Sequence, residues 1–342
     1  MCAKRKSAGR GILVVFCVLL GLMFAGLVAA TCFANSFLNK INRVNDLPQE
    51  TLSHEEVESI LAQTDPEDED FTGEDLDPEQ ISQPEEPVTV IEKEDHMVHI
   101  LLIGQDRRPG QGRQRSDAMI LCTINKKEKT LVLTSFLRDT YVKLPDYNGK
   151  KYGSNRLNVP YAVGGMEMLD ECILMNFGIE IDHNVEVDFS GFENIVNAIG
   201  GVDIELTKAE ANWIGGVSAG MNRLNGEKAL EYSRIRKLDS DFGRTNRQRK
   251  VLTAMLARIK DLSLNEILAL AETIFPMITT DMSNSDIVGY VMDFFPMLPD
   301  LVITTQSAPT DGEYYGGRIN GMSVLVPDLE AINARLRETI GS

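Results

Sequence analysis

The chain has 342 residues, 43% of them apolar, and a formal net charge of −17. This length is enough for a membrane segment, a linker and one large or two small folded domains. The acidity is concentrated in residues 46–95, which contain 19 acidic side chains and one basic one. The first 45 residues carry +6 and the remaining 247 carry −5. A folded body of that charge lacks the net basic footprint of a nucleic-acid-binding module, so we expect no nucleic acid partner.

An uncharged, mostly apolar run occupies residues 11–33 and follows a basic N-terminus. As a helix, its 23 residues would rise about 34 Å, enough to cross a bilayer core. A secretory signal peptide has a shorter apolar core, so we predict an uncleaved anchor. Because basic flanks stay cytoplasmic, the sequence predicts a single-pass cell-membrane protein with a cytoplasmic tail at 1–10 and an extracellular body.

Residues 34–95 are predicted to form an acidic extracellular linker. Within it, Ser53 and Glu56 have the spacing of a capping box, which predicts a short helix over 54–63. The capping box satisfies two otherwise unpaired amides at a helix start. The linker is therefore expected to be a solvated spacer with one short helix.

The folded body begins near His96 and alternates strand and helix patterns. Strands are predicted at 98–104, 118–125, 130–136, 184–189, 202–206 and 301–307, the last strand of the chain. Helices are predicted at 165–177, 192–199, 226–233, 265–275 and 285–295, with a closing helix after Pro327. This alternation predicts an α/β fold with a central mixed β-sheet and helices on both faces. We place the catalytic domain at 96–262 and a C-terminal extension of helices and a strand, packed on that domain, at 263–342.

The stretch 234–250 carries seven cationic side chains in an otherwise acidic protein. An apolar pattern from Val251 to Ile259 follows and predicts an amphipathic helix that begins near Gly243. Its first turns should place Arg244, Arg247 and Gln248 on one face, away from the apolar stripe. Free amides and guanidinium groups would meet there, which is how a phosphate or diphosphate is bound. A solvated basic face is the alternative interpretation.

Charged side chains also follow the ends of predicted strands. Asp106 and Asp117 lie near separate strand ends, where two acids can hold a hard cation such as Mg²⁺ against phosphate oxygens. Separately, each would more commonly be a surface acid in a local ion pair. The acids occur together with several arginines, which predicts a site for pyrophosphate and a metal; these are Arg115, Arg138, Arg234, Arg236 and Arg244.

Competing catalytic motifs fail on inspection. The string Gly216-Val-Ser218-Ala-Gly220 matches a nucleophile elbow, but that arrangement needs a later histidine and the last one is His183. Four single histidines also argue against a histidine zinc site. Cys122 and Cys172 fall in a strand and a helix pattern, so we expect buried free thiols, with a disulfide between them left open.

In this order along the chain, the charged motifs resemble the LytR-CpsA-Psr family. The resemblance covers about residues 97–260 and is accompanied by the short cytoplasmic tail and single anchor. Its segments are Leu-Leu-Ile-Gly-Gln-Asp106, Arg115-Ser-Asp117, Arg138-Asp-Thr140, Asn158-Val-Pro-Tyr161-Ala-Val-Gly-Gly165, Gly200-Gly-Val-Asp203, Leu224-Asn-Gly226-Glu-Lys-Ala-Leu-Glu-Tyr232, Arg234-Ile-Arg236 and Asp241-Phe-Gly-Arg244-Thr-Asn-Arg247-Gln248.

The resemblance implies an enzyme that transfers a glycopolymer from a polyprenyl-pyrophosphate carrier to peptidoglycan and leaves a phosphodiester. It implies a Mg²⁺-dependent (or Mn²⁺-dependent) phosphotransferase with an α-β-α domain, whose metal ligands here are Asp106 and Asp117. The candidate catalytic residues are Arg138, Asp139, Asp241 and Arg244. The candidate pyrophosphate contacts are Arg115, Arg138, Arg156, Arg234, Arg236, Arg244 and Gln248, to which the helix face adds Arg247. Arg156 stands where the family usually has lysine, and Arg binds as a fork where Lys binds as a point charge.

The expected partners are the polyprenyl-pyrophosphate-linked glycan, peptidoglycan and, through the N-terminal helix, the membrane. The glycan itself, such as a teichoic acid or capsule, is left open. Two alternatives stand beside this interpretation: a non-catalytic or regulatory envelope protein of the transcription-attenuator type, and a pyrophosphatase that acts on the lipid carrier.

Overall fold

The structure, a computed structural model, describes residues 37–46, 52–65, 73–81, 88–105, 107, 111–236, 238 and 241–341. The predicted anchor at 11–33 and the candidate metal ligand Asp106 lie outside these residues. A search of the described part for a helix long and apolar enough to cross a bilayer finds none.

Thirteen strands and nine α-helices make up the described part of the chain. The strands are β1 (Asn42–Arg43), β2 (Met97–Gln105), β3 (Ser116–Asn125), β4 (Thr130–Phe136), β5 (Tyr141–Lys143), β6 (Ser154–Arg156), β7 (His183–Asp188), β8 (Val202–Leu206), β9 (Gly220–Leu224), β10 (Ile278–Thr280), β11 (Val302–Ala308), β12 (Tyr314–Ile319) and β13 (Met322–Pro327). The helices are α1 (His54–Ala62), α2 (Val159–Phe177), α3 (Phe189–Ala198), α4 (Lys208–Ile214), α5 (Gly226–Ser233), α6 (Asp241–Lys260), α7 (Leu264–Ile274), α8 (Asn284–Phe294) and α9 (Leu329–Ile340).

Seven of the strands form a central sheet in the order β1-β10-β7-β2-β3-β4-β11. The strands β2, β3 and β4 run antiparallel to one another, while β7 pairs with β2 and β11 pairs with β4 in parallel. The sheet is therefore mixed, as predicted. Both β10 and β11 come from residues beyond 262, so the C-terminal extension contributes strands on both sides of the central meander.

Helices cover both faces of this sheet because side chains alternate along each strand. Leu101 and Leu121 lie in one apolar cluster with side chains of α2 and α9. Their neighbours Ile100 and Ile120 lie in a second cluster, where α6 and α8 supply the facing side chains. The three layers predicted from the sequence are thus present, and the two faces of β2 and β3 are each buried.

Local signals placed most elements correctly. The Ser53–Glu56 capping box forms in both directions and starts α1 at His54. Helix α6 begins at Asp241, two residues earlier than predicted. Helix α2 begins at Val159, and the predicted start, Gly165, is a kink with φ 70° and ψ −151°. Glycine is required at 165 because this positive φ strains any residue that has a Cβ.

The prediction that 301–307 is the last strand was wrong, because the hairpin β12–β13 follows it. Glycines at 316 and 317 made this segment resemble a loop. Gly317 instead allows a close approach, since a Cβ there would lie 2.1 Å from Cδ1 of Leu76 in the linker. Cys122 and Cys172 are buried and free, as expected.

Candidate active site

Asp117 occupies a β-bulge at the start of β3, a central strand of the sheet. On β2, Gly104 pairs with Ala118 and Gln105 pairs with Ser116, so Asp117 is the extra residue on β3. A bulge re-aims the inserted side chain and is common beside active sites. The Asp117 side chain is 26% exposed. The sequence places Asp106 directly after Gln105, the last residue of β2, although Asp106 itself lies outside the described residues.

Two arginines hold the same oxygen of Asp117. Arg138, two residues after β4, places Nη1 3.1 Å from Asp117 Oδ1, and its side chain is only 5% exposed. Arg236, which follows α5, places Nη2 3.5 Å from that oxygen. Residues about 20 and 120 positions from Asp117 in sequence therefore meet at one carboxylate, as the predicted site requires.

The guanidinium of Arg234 stacks on an aromatic ring beside this group. Its Cζ lies 4.5 Å from the ring centroid of Phe189, the first residue of α3. A cation over an aromatic face is stabilised by the ring quadrupole. The stacking fixes the plane of the guanidinium beside Asp117 and Arg236.

Asp117, Arg234 and Arg236 line a cavity of 190 Å³ whose walls are mostly apolar, with Asp188 and Ser233 as further polar lining residues. Arg138 is not among the lining residues and reaches the cavity only through its contact with Asp117. Arg244 and Gln248 enter the cavity from the first turns of α6, with Leu252 and Met255 further along the same helix. The other apolar lining residues come from β2, β3, β7, α3 and α5: Leu102, Ile103, Ala118, Ile120, Val185, Val187, Phe192, Ile195 and Leu230. Cationic and apolar side chains thus share one cavity.

The predicted separation of the α6 faces was wrong. Positions 244, 248, 252 and 255 line the same cavity, so Arg244 and Gln248 lie on the apolar stripe and not away from it. Arg247 points elsewhere: its Nε lies 2.9 Å from Glu210 Oε1 and its Nη1 donates to the Ile235 carbonyl at 3.0 Å. Arg247 is 4% exposed and outside the cavity lining, so its contacts are structural.

Arg115 and Arg156 are also outside the cavity lining and bind the linker. Arg115 donates to the carbonyls of Ile60 and Gln63 at 2.8 and 2.6 Å, at the end of α1. Burial has the largest effect on the pKa of Arg115 and lowers it, while the nearby Asp65 carboxylate raises it. The structure therefore corrects the expectation that Arg115 shares a pocket with Arg234 and Arg244.

Arg156 is fully buried and joins three parts of the chain. Its Nη1 lies 3.0 Å from Asp65 Oδ2, and its Nη2 donates to the Ser323 carbonyl at 2.7 Å. Asp139 lies 3.5 Å from Arg156 Nε and 3.3 Å from Arg138 Nε. The arginine fork at 156 thus clamps the linker and the β12–β13 hairpin, and Asp139 positions Arg138 from the side opposite to its Nη1 contact.

Sequence reasoning missed the partners that fix these arginines. Asp65 lies in an acid-rich linker, where one more carboxylate carries no signal. For Phe189 the sequence did give a weak signal, because it is an aromatic residue directly after a predicted strand. A buried network beneath the site was also missed: Glu186 accepts from Gln105 and from Tyr161 and pairs with Arg107 at 3.3 Å.

Asp117 has the donor chemistry that a hard cation requires. Its Oδ1 is shared by the two arginines, whereas its Oδ2 has no hydrogen-bond partner among the described residues. Within those same residues no group of three or more His, Cys, Asp or Glu side chains gathers around a common point. Asp106 and the side chain of Asp241 lie outside the described part, so both remain predictions as metal ligand and catalytic acid.

Comparison with known proteins supplies an independent result. A family model described as the LytR_cpsA_psr family matches residues 62–339, most of the chain. A teichoic acid transferase named TagU from Enterococcus faecalis is 35% identical over 198 residues, which cover 56% of this chain and 62% of that enzyme. A teichoic acid transferase named TagT from Bacillus subtilis is 30% identical over 257 residues, with 71% and 76% of the two chains covered.

Solved structures show the same fold. A structure described as TagT bound to LIIa-WTA superposes with a TM-score of 0.60 and 28% identity, covering 77% of this chain and 99% of that one. A protein from Streptococcus agalactiae superposes with a TM-score of 0.61 and 27% identity, covering 71% and 88%. The arrangement of sheet and helices is therefore one that both of these proteins also adopt.

Proposed function

Because the chain belongs to the LytR_cpsA_psr family, we propose that it transfers an anionic glycopolymer from a polyprenyl-pyrophosphate carrier to peptidoglycan. The observation that carries this proposal is the cavity in which Arg234, Arg236 and Arg244 share walls with apolar side chains. A diphosphate joined to a hydrocarbon chain is the ligand whose two parts match those two linings. Relatives named for this transfer support the substrate class.

Each part of the carrier has a place in the cavity. The diphosphate meets the guanidinium groups around Asp117, because planar forks bind phosphate oxygens through paired hydrogen bonds. The prenyl chain meets the apolar wall. An apolar cavity of about 150 Å³ binds a ring the size of benzene, so 190 Å³ holds only the first isoprene units.

The reaction we propose is a displacement at phosphorus. A sugar hydroxyl of peptidoglycan attacks the glycan-side phosphorus, the bond from that phosphorus to the bridging oxygen breaks, and polyprenyl phosphate leaves while the hydroxyl proton is released. Arg138 and Arg236 stabilise charge on the transferring and leaving oxygens, a contribution of about 3–4 kcal/mol for one well-placed donor. Asp139 holds Arg138 in place through its Nε contact.

Asp117 is the described residue that would hold Mg²⁺, together with Asp106 from the end of the neighbouring strand. When bound, the cation neutralises charge on the diphosphate oxygens and polarises the bond that breaks. The unshared Oδ2 of Asp117 supports this assignment, since Oδ1 is engaged by the arginines. Metal dependence is part of the proposal.

We further propose that residues 11–33 anchor the protein in the cell membrane, with residues 1–10 in the cytoplasm. Their length and lack of charge support this, and so does the substrate, because a polyprenyl carrier lies in the bilayer. The single anchor would keep the cavity next to its lipid substrate and leave the body outside, where peptidoglycan lies.

Transfer by the purified full-length chain tests the proposal. The chain in detergent is mixed with a pyrophosphate-linked lipid glycan and a peptidoglycan acceptor, with Mg²⁺ or with a chelator. We expect polymer-linked peptidoglycan only with the metal. Consumption of lipid without any linked product would instead support the pyrophosphatase, and lipid binding without consumption would support a non-catalytic envelope protein.

A further inference from the structure

Helix α8 presents an exposed apolar stripe on the outside of the C-terminal region. Val288, Val291, Met292 and the next residue after the helix, Phe295, are 44%, 53%, 71% and 37% exposed. Their spacing of three, four and seven positions places them on one helical face. Contiguous exposed apolar side chains of this kind mark a surface that binds a partner or a membrane.

The adjoining face of α8 covers the layer that lines the cavity. Ile287, Tyr290 and Phe294 pack into the apolar cluster that contains Ile120 and borders Leu252. Both Ile120 and Leu252 also line the cavity that carries the proposed lipid site. Helix α8 therefore lies between the apolar wall of that cavity and the outside of the protein.

The chain that follows the predicted anchor is docked at the start of α8. Asn39 Oδ1 accepts a hydrogen bond from Nδ2 of Asn284, the first residue of the helix, at 3.1 Å. Arg43 donates to the Asn284 side chain and to the Met282 carbonyl, both at 2.5 Å. These contacts hold the first described segment against the N-terminal end of the helix.

Further contacts of the same segment exclude a loose attachment. The ring of Phe37 lies 5.1 Å from the ring of Phe275, and Lys40 Nζ lies 2.6 Å from Glu272 Oε1. The two residues of β1 extend the central sheet by pairing in parallel with β10. The body is thus fixed to the chain within a few residues of the proposed anchor.

This docking limits the distance from α8 to the membrane. The apolar run ends at Phe33, and the six residues from there to Asn39, which contacts the start of α8, span at most about 22 Å when fully extended. Helix α8 has 11 residues and is about 16 Å long. The exposed stripe begins four residues after Asn284, about 6 Å along the helix axis. The whole stripe therefore lies within reach of the bilayer surface.

We propose that this stripe of α8 rests in the interfacial region of the outer leaflet and sets the orientation of the body on the membrane. The proposal rests on the anchor proposed above and adds the surface that faces the lipid. A helix with one apolar exposed face lies in the plane of the interface with that face buried by about 5–10 Å. The cavity wall beneath α8 then lies beside the leaflet that supplies the prenyl carrier.

Lipid quenching of a fluorophore at Met292 tests this orientation. The full-length chain carries Met292→Cys, with Cys2, Cys17 and Cys32 changed to serine, and is labelled with an environment-sensitive fluorophore. It is reconstituted in vesicles of phosphatidylglycerol and phosphatidylethanolamine that contain spin-labelled lipid. Met221→Cys on β9 is the matched control, because Met221 is 69% exposed and Met292 is 71% exposed.

We expect spin-labelled lipid to quench the fluorophore at 292 at least threefold and to leave the one at 221 nearly unchanged. Equal quenching of the fluorophores at 292 and 221, in vesicles that carry the protein on flotation, would overturn the docking of α8. It would leave the anchor intact. Failure of the protein to float with vesicles would overturn the anchor and, with it, the docking. A blue-shifted fluorophore at 292 that lipid does not quench would point to a second protein copy on this face and also overturn the proposal.

Discussion

Asp117 Oδ1 and Arg138 Nη1 lie 3.1 Å apart, with Asp117 on β3 and Arg138 two residues after the end of β4. The β-bulge turns the carboxylate out of the sheet, and the buried guanidinium of Arg138 meets it there. Arg236 approaches the same oxygen from the stretch after α5. One carboxylate thus holds two of the arginines of the proposed diphosphate site, and Arg138 is the more buried of the two.

Arg138→Lys should lower the rate of polymer transfer by about 100-fold or more, because a point charge replaces a fork that donates through several nitrogens. Transfer to peptidoglycan by the full-length chain in detergent measures this. Arg223→Lys is the matched control, since Arg223 forms an Asp–Arg pair with Asp203 on the surface, at 2.7 Å and 54% exposure. An equal loss in both variants would show that the effect of the Arg138 change is not specific to the site.

Asp117→Asn should separate binding from turnover. Removing the carboxylate leaves Arg138 and Arg236 without their shared partner, so the affinity for the lipid diphosphate should stay the same or rise, while metal-supported transfer should fall about 100-fold. Lipid co-purified with the chain measures the first, and transfer at increasing Mg²⁺ concentration measures the second. Asp203→Asn should change neither, because Asp203 forms its pair with Arg223 on the surface.

Val185→Phe should block the prenyl chain and spare the charged site. Val185 lines the apolar wall of the cavity, and the larger ring would fill space that the proposal gives to the first isoprene units. We expect weaker binding of the polyprenyl carrier by about tenfold, with unchanged binding of a short water-soluble pyrophosphate. Loss of both affinities would contradict the division of the cavity into two parts, provided that the variant keeps its thermal transition.

Arg247→Met should reduce stability rather than ligand affinity. The change leaves the buried Glu210 without the guanidinium that donates to it, and removing one partner of a buried pair costs about 3–5 kcal/mol. Thermal unfolding in detergent measures this, and diphosphate binding well below the transition should be unchanged. A normal transition combined with lost binding would restore Arg247 as a ligand contact.

Asp170→Asn should flatten the pH dependence of stability. Burial raises the pKa of Asp170 to about 7 from a normal value of 3.8, with Asp281 adding to the rise and the Asn184 hydrogen bond opposing it. Between these values the folded chain holds a proton that the unfolded chain has lost, so stability falls as pH rises from 4 to 7, by up to about 1.4 kcal/mol per pH unit. Unfolding curves of the unchanged protein and of the Asp170→Asn variant at pH 5, 6, 7 and 8 test this. Parallel curves would contradict it.

The fold was predictable to the extent that each element carried its own signal. Short apolar runs typical of buried strands predicted β2 and β3, and the Ser53–Glu56 pair predicted α1. The hairpin β12–β13 was missed because its glycines serve a close approach to Leu76, a contact between distant parts of the chain. No local pattern reports such a contact.

The candidate site was predictable in its chemistry and only partly in its membership. Arg244 and Arg236 reach the cavity, as expected from the basic stretch. Arg156 and Arg247 are arginines too, but they lie outside the cavity lining and donate to Asp65 and Glu210, respectively. An arginine near a motif does not reveal which carboxylate or ligand its fork will meet, because that choice depends on tertiary packing.

The fate of the two carrier phosphates tests the central claim most directly. A lipid glycan labelled at the glycan-side phosphorus, and a second labelled at the prenyl-side phosphorus, are each incubated with the full-length chain, Mg²⁺ and peptidoglycan. The account predicts that the first label becomes covalently attached to peptidoglycan and that the second stays in the lipid as polyprenyl phosphate. In Arg138→Lys both products should form at a rate lower by about 100-fold. Release of the first label as soluble glycan phosphate, or transfer of both labels together, would contradict the account.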